Sequence, residues 1–162
     1  MIECKDNLEF MQGLKADSID LIYCDILYGT GRRFADYQDL KPIKSEIEAH
    51  YLPRLKEMHR ILKDTGSIYL QMDTRINHWI RCIMDDIFNY NNFRTEIVWL
   101  YNSQGKSDKE WNRKHDVILY YTKGKKWTFN AKDVMDSITD LTYKRFKSEI
   151  EKKGYYTCFK NG

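Results

Sequence analysis

The run Asp20-Leu-Ile-Tyr-Cys-Asp-Ile-Leu-Tyr-Gly-Thr-Gly31 limits what this chain can fold into more than any other stretch. Leu21 to Cys24 are apolar or aromatic, and the block stops at Asp25. A short apolar block ended by a charge and a glycine turn reads as a buried strand. A carboxylate at the end of such a strand lies at the carboxyl edge of the sheet, where open α/β sheets place ligands. Tyr28 can cover a flat ring, and Gly29 and Gly31 permit tight backbone turns beside a ligand. Together these residue types describe a pocket for a planar base that carries an amino group.

The surrounding pattern alternates strands and helices. Met1 to Phe10 reads as a short strand entering a loop, and Leu8, Met11 and Leu14 begin a short helix. Ser45 with Glu48 is a capping-box pattern, followed by Ile47, Tyr51, Leu55, Met58 and Leu62 at helical spacing. Pro53 should kink that helix, and Asp64-Thr-Gly66 should stop it. Ser67–Met72 predicts a strand, Arg75–Phe88 a helix, and Glu96–Tyr101 a third strand. Val117–Tyr121 predicts a fourth strand, in a hairpin with Trp127–Phe129. Beyond Ala131 only a charged helix is indicated. The order implies an α/β fold, a mostly parallel sheet with an antiparallel edge strand.

At 162 residues, 42% of them hydrophobic, the chain can build one real core. No run approaches the roughly 18 apolar residues of a membrane span. No apolar leader opens the sequence, so the expectation is a cytoplasmic protein without a membrane partner. Cys4, Cys24, Cys82 and Cys158 lack metal or redox spacing and are expected to be free thiols. Net charge is only +3, but Lys106, Lys109, Arg113, Lys114, Lys123, Lys125 and Lys126 outnumber Asp108, Glu110 and Asp116 between Gln104 and Lys126. Arg32 and Arg33 follow the glycine turn. Cations grouped near a site suit a polyanion such as double-stranded DNA.

Rival readings fare less well. Gln104-Gly-Lys-Ser107 lacks the earlier glycine of a phosphate loop, since that position is Leu100. Gly29-Thr-Gly31 lacks the third glycine of a dinucleotide fold, where Phe34 stands. His115-Asp116 has no further ligand at metal-binding spacing, and His50, His59 and His78 are expected on helix surfaces. A magnesium nuclease built on Asp25, Asp73 and Glu96 would need a lysine that does not follow. A catalytically inactive DNA-binding module remains as the alternative class.

The central run resembles the Asp-Pro-Pro-Tyr segment of DNA amino-methyltransferases, which Asn-Thr-Gly usually follows in adenine-specific members. Asp25, Tyr28 and Thr30-Gly31 match, while Ile26 and Leu27 replace both prolines. Gly66-Ser-Ile-Tyr-Leu-Gln-Met-Asp73 and Arg113-Lys-His-Asp-Val-Ile-Leu-Tyr-Tyr121 resemble later blocks, in the β order of the N4/N6 family, catalytic half first. The resemblance implies a Rossmann-like, S-adenosyl-L-methionine-dependent methyltransferase fold, incomplete in this chain. Residues 1–130 would be its catalytic half, and 131–162 a charged helical segment leading toward a target-recognition region. It implies adenine-N6 methylation of double-stranded DNA within a restriction-modification system. Asp25 and the Ile26 carbonyl would accept from the target amino group, with Tyr28 stacked on the flipped ring. Asp6, Asn7 and Asp25 would border the cofactor. Arg32, Arg33, Lys106, Lys109, Arg113, Lys114 and His115 would contact DNA, and no metal is expected. The family's Phe-x-Gly-x-Gly cofactor loop has no counterpart here. The fragment alone is therefore expected to be inactive, needing a homodimer or a complementing C-terminal half, with a cognate restriction endonuclease as a further partner.

Overall fold

The computed structural model describes residues 2–101, 108–134 and 140–153. In chain order the elements are α1 (Asn7–Gln12), β1 (Ile19–Asp25), α2 (Lys44–Ile61), β2 (Leu62–Asp73), α3 (Asn77–Phe88), β3 (Phe93–Leu100), β4 (His115–Thr122) and α4 (Asp140–Lys153). The chain divides into two compact units, Met1–Thr128 and Phe129–Gly162. The first holds the whole sheet, and the second contributes α4, whose side chains at Lys144, Arg145, Lys147 and Glu151 are exposed.

The four strands lie in the order β1-β2-β4-β3. β1 and β2 are parallel, while β4 runs antiparallel to both β2 and β3. Three strands thus share one direction, as the sequence pattern implies. The antiparallel strand, however, is interior and not at the edge. Val117 to Thr122 are all buried, whereas β3 is exposed along most of its length. Hydrophobicity explains the choice: Val-Ile-Leu-Tyr-Tyr can be covered on both faces, and Arg-Thr-Glu interrupts β3.

Period-two alternation separates the two faces of the sheet. Ile68, Leu70 and Met72 of β2 and Val117, Leu119 and Tyr121 of β4 pack with Ile47, Leu55, Ile80, Met84 and Phe88 of α2 and α3. The Tyr121 hydroxyl donates to Asp85 Oδ1 at 2.5 Å, tying β4 to α3. Arg81 pairs with Asp85 and covers the Phe93 ring at 3.4 Å. On the other face Tyr69 and Tyr120 stack at 4.4 Å. That face also carries Tyr23 and Asp25, the register partners of Tyr69 and Gln71.

Several local expectations are corrected. β1 is not buried on both faces: among the described residues it pairs only with β2, and Leu21 and Tyr23 are exposed. Residues 2–6 form no strand; instead Asp6 caps α1 through the amides of Leu8 and Glu9. Helix α2 begins one residue before Ser45, and its N-cap, Ile43, makes no side-chain bond, so the capping box is not formed. Pro53 lies inside an unbroken α2. Asp64–Gly66 does not separate helix from strand; it falls within β2, where the register jumps from Ile19↔Leu62 to Leu21↔Ser67. Trp127–Phe129 is not a strand; the Trp127 ring lies 3.8 Å from the Arg94 guanidinium carbon instead. His78 is exposed as expected, but His50 packs on Tyr51 and His59 on Phe88. Cys4, Cys24 and Cys82 are free thiols, and Cys158 lies outside the described residues. No helix among the described residues is long and apolar enough to cross a membrane.

Leu70 is fully buried at the centre of β2. Leu70→Ala is expected to lower unfolding stability by about 2–5 kcal/mol, checked by denaturant titration against the unaltered chain.

Candidate active site

The site forms where β1 ends. A cavity of about 520 Å³ is lined by Asp25, Ile26, Leu27, Tyr28, Thr30, Phe34, Tyr37 and Asp39. Asp25 and Tyr28 therefore border one common space. Strand alternation puts Asp25 on the sheet face away from α2 and α3, beside its register partner Gln71.

Tyr28 is held at its hydroxyl end. Its phenol donates to Asp116 Oδ2 at 3.0 Å and accepts from the Gln71 amide at 3.3 Å. Gln71 also donates to Asp116 Oδ2 at 3.1 Å, and its carbonyl oxygen accepts from the Tyr23 hydroxyl. Burial first, and then the bond to Asp116, push the Tyr28 phenol above the ordinary tyrosine range. A ring pinned at its polar end has few orientations left and can present a fixed face to a ligand.

The segment between Asp25 and Tyr28 lacks proline yet is restrained. The Ile26 amide donates to the Gln71 carbonyl at 3.0 Å, carrying the β1–β2 ladder one step past the strand. A proline at position 26 could not make that bond. The Leu27 carbonyl accepts from the Tyr51 hydroxyl at 3.3 Å, so α2 anchors the next residue. Ile26 itself is buried.

Beyond Tyr28 the turn is clamped by Asp39, which is only 4% exposed. Its carboxylate accepts from the Gly29 amide at 3.2 Å, the Thr30 amide at 2.8 Å and the Thr30 hydroxyl at 2.5 Å. Gly29 has φ +67°, and a Cβ there would sit 2.6 Å from Ile76 Cγ2, so glycine is required twice over.

The other expected site residues lie elsewhere. Asp6 caps α1 and pairs with Arg54 at 2.6 Å, while Asn7 accepts from Arg54 Nε at 2.9 Å. Asn7 borders a separate hollow of about 220 Å³ with Glu3, Lys5 and Phe10. Arg32 and Arg33 are exposed on the turn after Gly31, and Lys109 and Arg113 are exposed before β4. Lys114 and His115 are half-buried at the start of β4. None of these cations lines the Asp25 cavity. Lys106 and the Gln104–Ser107 segment lie outside the described residues. Among the described residues no group of three or more His, Cys, Asp or Glu side chains is placed to hold a metal ion. Asp73, offered for the nuclease reading, is engaged by Arg75 at 2.5 Å.

Sequence reasoning missed Gln71, Asp116 and Asp39. Asp116 is 88 residues from the tyrosine it holds, and only strand register brings it there. Asp39 had a weak signal, being one of two carboxylates, with Asp36, in the polar run after the glycine turn.

Two outcomes follow. Ile26→Pro removes the amide bonded to Gln71 and is expected to cost about 1 kcal/mol of stability, measured by chemical denaturation; an unchanged midpoint would show that the ladder bond contributes nothing. Burial also raises the phenols of Tyr51, Tyr121 and Tyr69, the last to about 12. Unfolded tyrosines ionise near pH 10, whereas the folded ones keep their protons. Stability present below about pH 10 should therefore be lost as pH rises through the folded values, with phenolate absorbance appearing together with unfolding.

The pattern of the N6/N4 DNA methylase family matches residues 19–160. The type II methyltransferase M.KpnI of Klebsiella pneumoniae is 34% identical over an alignment of 129 positions that covers 73% of this chain and 31% of that protein. The DNA adenine methyltransferase YhdJ of Escherichia coli K12 is 29% identical over 80% of this chain and 44% of its own length. This chain thus spans less than half of these relatives. Among solved structures, PvuII DNA methyltransferase, cytosine-N4-specific, aligns with a TM-score of 0.62 at 15% identity, covering 83% of this chain and 53% of that one. The complex of M1.HpyAVI with SAM gives 0.55 at 17% identity, covering 85% and 60%. These two likenesses concern the fold alone; the sequence match over most of the chain makes it a member of the N6/N4 DNA methylase family.

Proposed function

We propose that this chain is the base-accepting half of a methyltransferase that acts on N6 of adenine in double-stranded DNA, with S-adenosyl-L-methionine as methyl donor. The observation that carries the reading is the shared cavity of Asp25 and Tyr28 at the carboxyl end of β1. An exocyclic amino group is a poor nucleophile because its lone pair is delocalised into the ring. Acceptors for both N–H bonds draw that pair out of the ring. Asp25 is one acceptor and the Ile26 carbonyl the other. The Ile26 amide is already committed to Gln71, which fixes the peptide unit immediately before that carbonyl. Tyr28 stacks on the ring, a contact of about 1–3 kcal/mol that helps offset the few kcal/mol of extracting a base from the duplex. Arg32, Arg33, Lys106, Lys109, Arg113, Lys114 and His115 contact the DNA, and residues 131–162 lead toward the region that reads the site.

Bound S-adenosyl-L-methionine supplies the methyl group. These residues fit it only in part. Asp25 reaches the shared cavity, but the carboxylate of Asp6 is spent on two amides and Arg54, so Asp6 and Asn7 shape the border more than they grip. The remaining grip is assigned to a complementing half or a second copy. The outer edge of β1, with exposed Leu21 and Tyr23, is free of strand partners among the described residues and suits such a joint. A cognate restriction endonuclease completes the proposed system.

Adenine is favoured over cytosine because the family resemblance pairs Asp at position 25 with adenine and Ser with cytosine. The restrained Ile26-Leu27 segment favours a working variant over an inactive DNA-binding module.

Methyl transfer to genomic DNA by the complemented enzyme, read by mass spectrometry of nucleosides, is expected to yield N6-methyladenine; N4-methylcytosine would refute the assignment. Tyr28→Ala should lower activity by about 5- to 150-fold, the loss of one stacking contact, and Asp25→Ala should abolish it. Salt-sensitive DNA binding with no transfer at all would identify the inactive module instead. The 162-residue chain alone should bind S-adenosyl-L-methionine more weakly than micromolar by calorimetry.

A further inference from the structure

The cavity has a second aromatic element that the mechanism above does not use. Phe34 and Tyr37 both line it. Their rings stack on one another, with centroids 4.7 Å apart and planes 17° from parallel. They are nevertheless 43% and 50% exposed and lie outside the apolar core. Two aromatic rings held in water gain little from folding beyond their mutual contact. Their placement therefore calls for a ligand.

The turn that bears them is rigid. The Phe34 amide donates to the Tyr37 carbonyl at 2.8 Å, and the Asp39 amide to the Arg32 carbonyl at 2.9 Å. Arg33 and Gln38 form an antiparallel bridge. The Gln38 side-chain amide donates to the carbonyls of Gly31 and Arg32, each at 3.2 Å, and of Asp39 at 3.1 Å. Asp39 then fastens this turn to Gly29 and Thr30, next to Tyr28. The rings are thus held at a fixed position relative to Tyr28 before any ligand arrives, so little ordering entropy is lost on binding.

Charge does not explain the turn. Residues 32–39 hold Arg32 and Arg33 against Asp36 and Asp39, a net charge of zero. Arg32 and Arg33 at its start can meet the DNA, but neither accounts for the two rings that follow them. What this turn offers is aromatic surface, which every nucleobase can meet with its π face.

We infer that Phe34 and Tyr37 form a second aromatic wall of the base pocket, contacting the same purine ring that Tyr28 stacks against. The inference rests on the proposed function, since it takes the occupant of the cavity to be an extruded base. Phe34 and Tyr37 are then substrate-binding residues, and Asp39 is a positioning residue that fixes their turn against Tyr28.

Adenosine, which has the base but no phosphate, tests this on the full 162-residue chain. Nuclear magnetic resonance would follow contacts from the adenosine ring protons to aromatic side chains, and a titration would give the affinity. Contacts to Tyr28 and to Phe34 or Tyr37 are expected. Phe34→Leu and Tyr37→Leu keep apolar bulk and should each weaken binding by about five-fold or more, with melting temperature unchanged. Tyr37→Phe and Phe34→Tyr keep a ring and should bind as the unaltered chain does, which separates loss of the wall from loss of the fold. If Tyr28→Ala abolishes binding while both leucine variants bind normally, the second wall is overturned and the proposed function stands. If adenosine does not bind, or binds without regard to Tyr28, the base pocket itself falls and the wall with it.

Discussion

The parallel ladder between β1 and β2 is the constraint on which the site depends. Its register sets Asp25 beside Gln71, and the bond from the Ile26 amide to the Gln71 carbonyl extends it past the end of β1. Gln71 therefore acts twice. Its backbone fixes the exit of the chain from the sheet, and its side chain joins Tyr28 to Asp116. If the register slipped by one residue, Asp25 would turn toward the helices and the polar row would disappear. The buried alternation of Ile68, Leu70 and Met72 against α2 and α3 resists such a slip, because it would send the apolar set to the open face. Core packing thus determines where the carboxylate points.

The inserted position of β4 matters for the same reason. As an edge strand outside β3, β4 would not lie beside β2. Between β2 and β3, with Asp116 opposite Asp73, it brings Asp116 to the open face within reach of Tyr28. The tyrosine is consequently held from β2 and β4 while its own backbone leaves β1. Three strands converge on one phenol, and the burial that raises its pKa also limits the movement of the ring.

The class of fold, the Asp25–Tyr28 pair and the glycine turn were legible in the sequence because each depends on local chemistry: an apolar block, a charge at its end, a residue that tolerates positive φ. The place of β4 in the sheet was not legible. Hydrophobicity marks a strand as buried, but strand order follows from long-range pairing that no local pattern encodes. Gln71 and Asp116 escaped for the same reason, since each reads as an ordinary polar residue in its own strand. Ser45 misled because a capping box is a local preference, and the packing of Ile47 and Tyr51 set the start of α2 one residue earlier. The short Trp127–Phe129 run misled in a similar way, Trp127 being engaged by Arg94 and not by a strand.

The absent prolines illustrate how one geometric need can be met by different physics. Proline restrains a backbone by removing freedom from the unfolded and folded chain alike. Isoleucine at position 26 keeps an amide, and here that amide is used. Leucine at position 27 leaves its carbonyl where the Tyr51 hydroxyl can reach it from α2. The restraint has moved from the covalent ring of the residue to its tertiary surroundings. Such a site should be more sensitive to substitutions in β2 and α2 than one held by prolines, because its geometry is shared with neighbours instead of being intrinsic. Gln71 and Tyr51 then belong to the proposed site as much as the residues they hold, although neither lines the cavity.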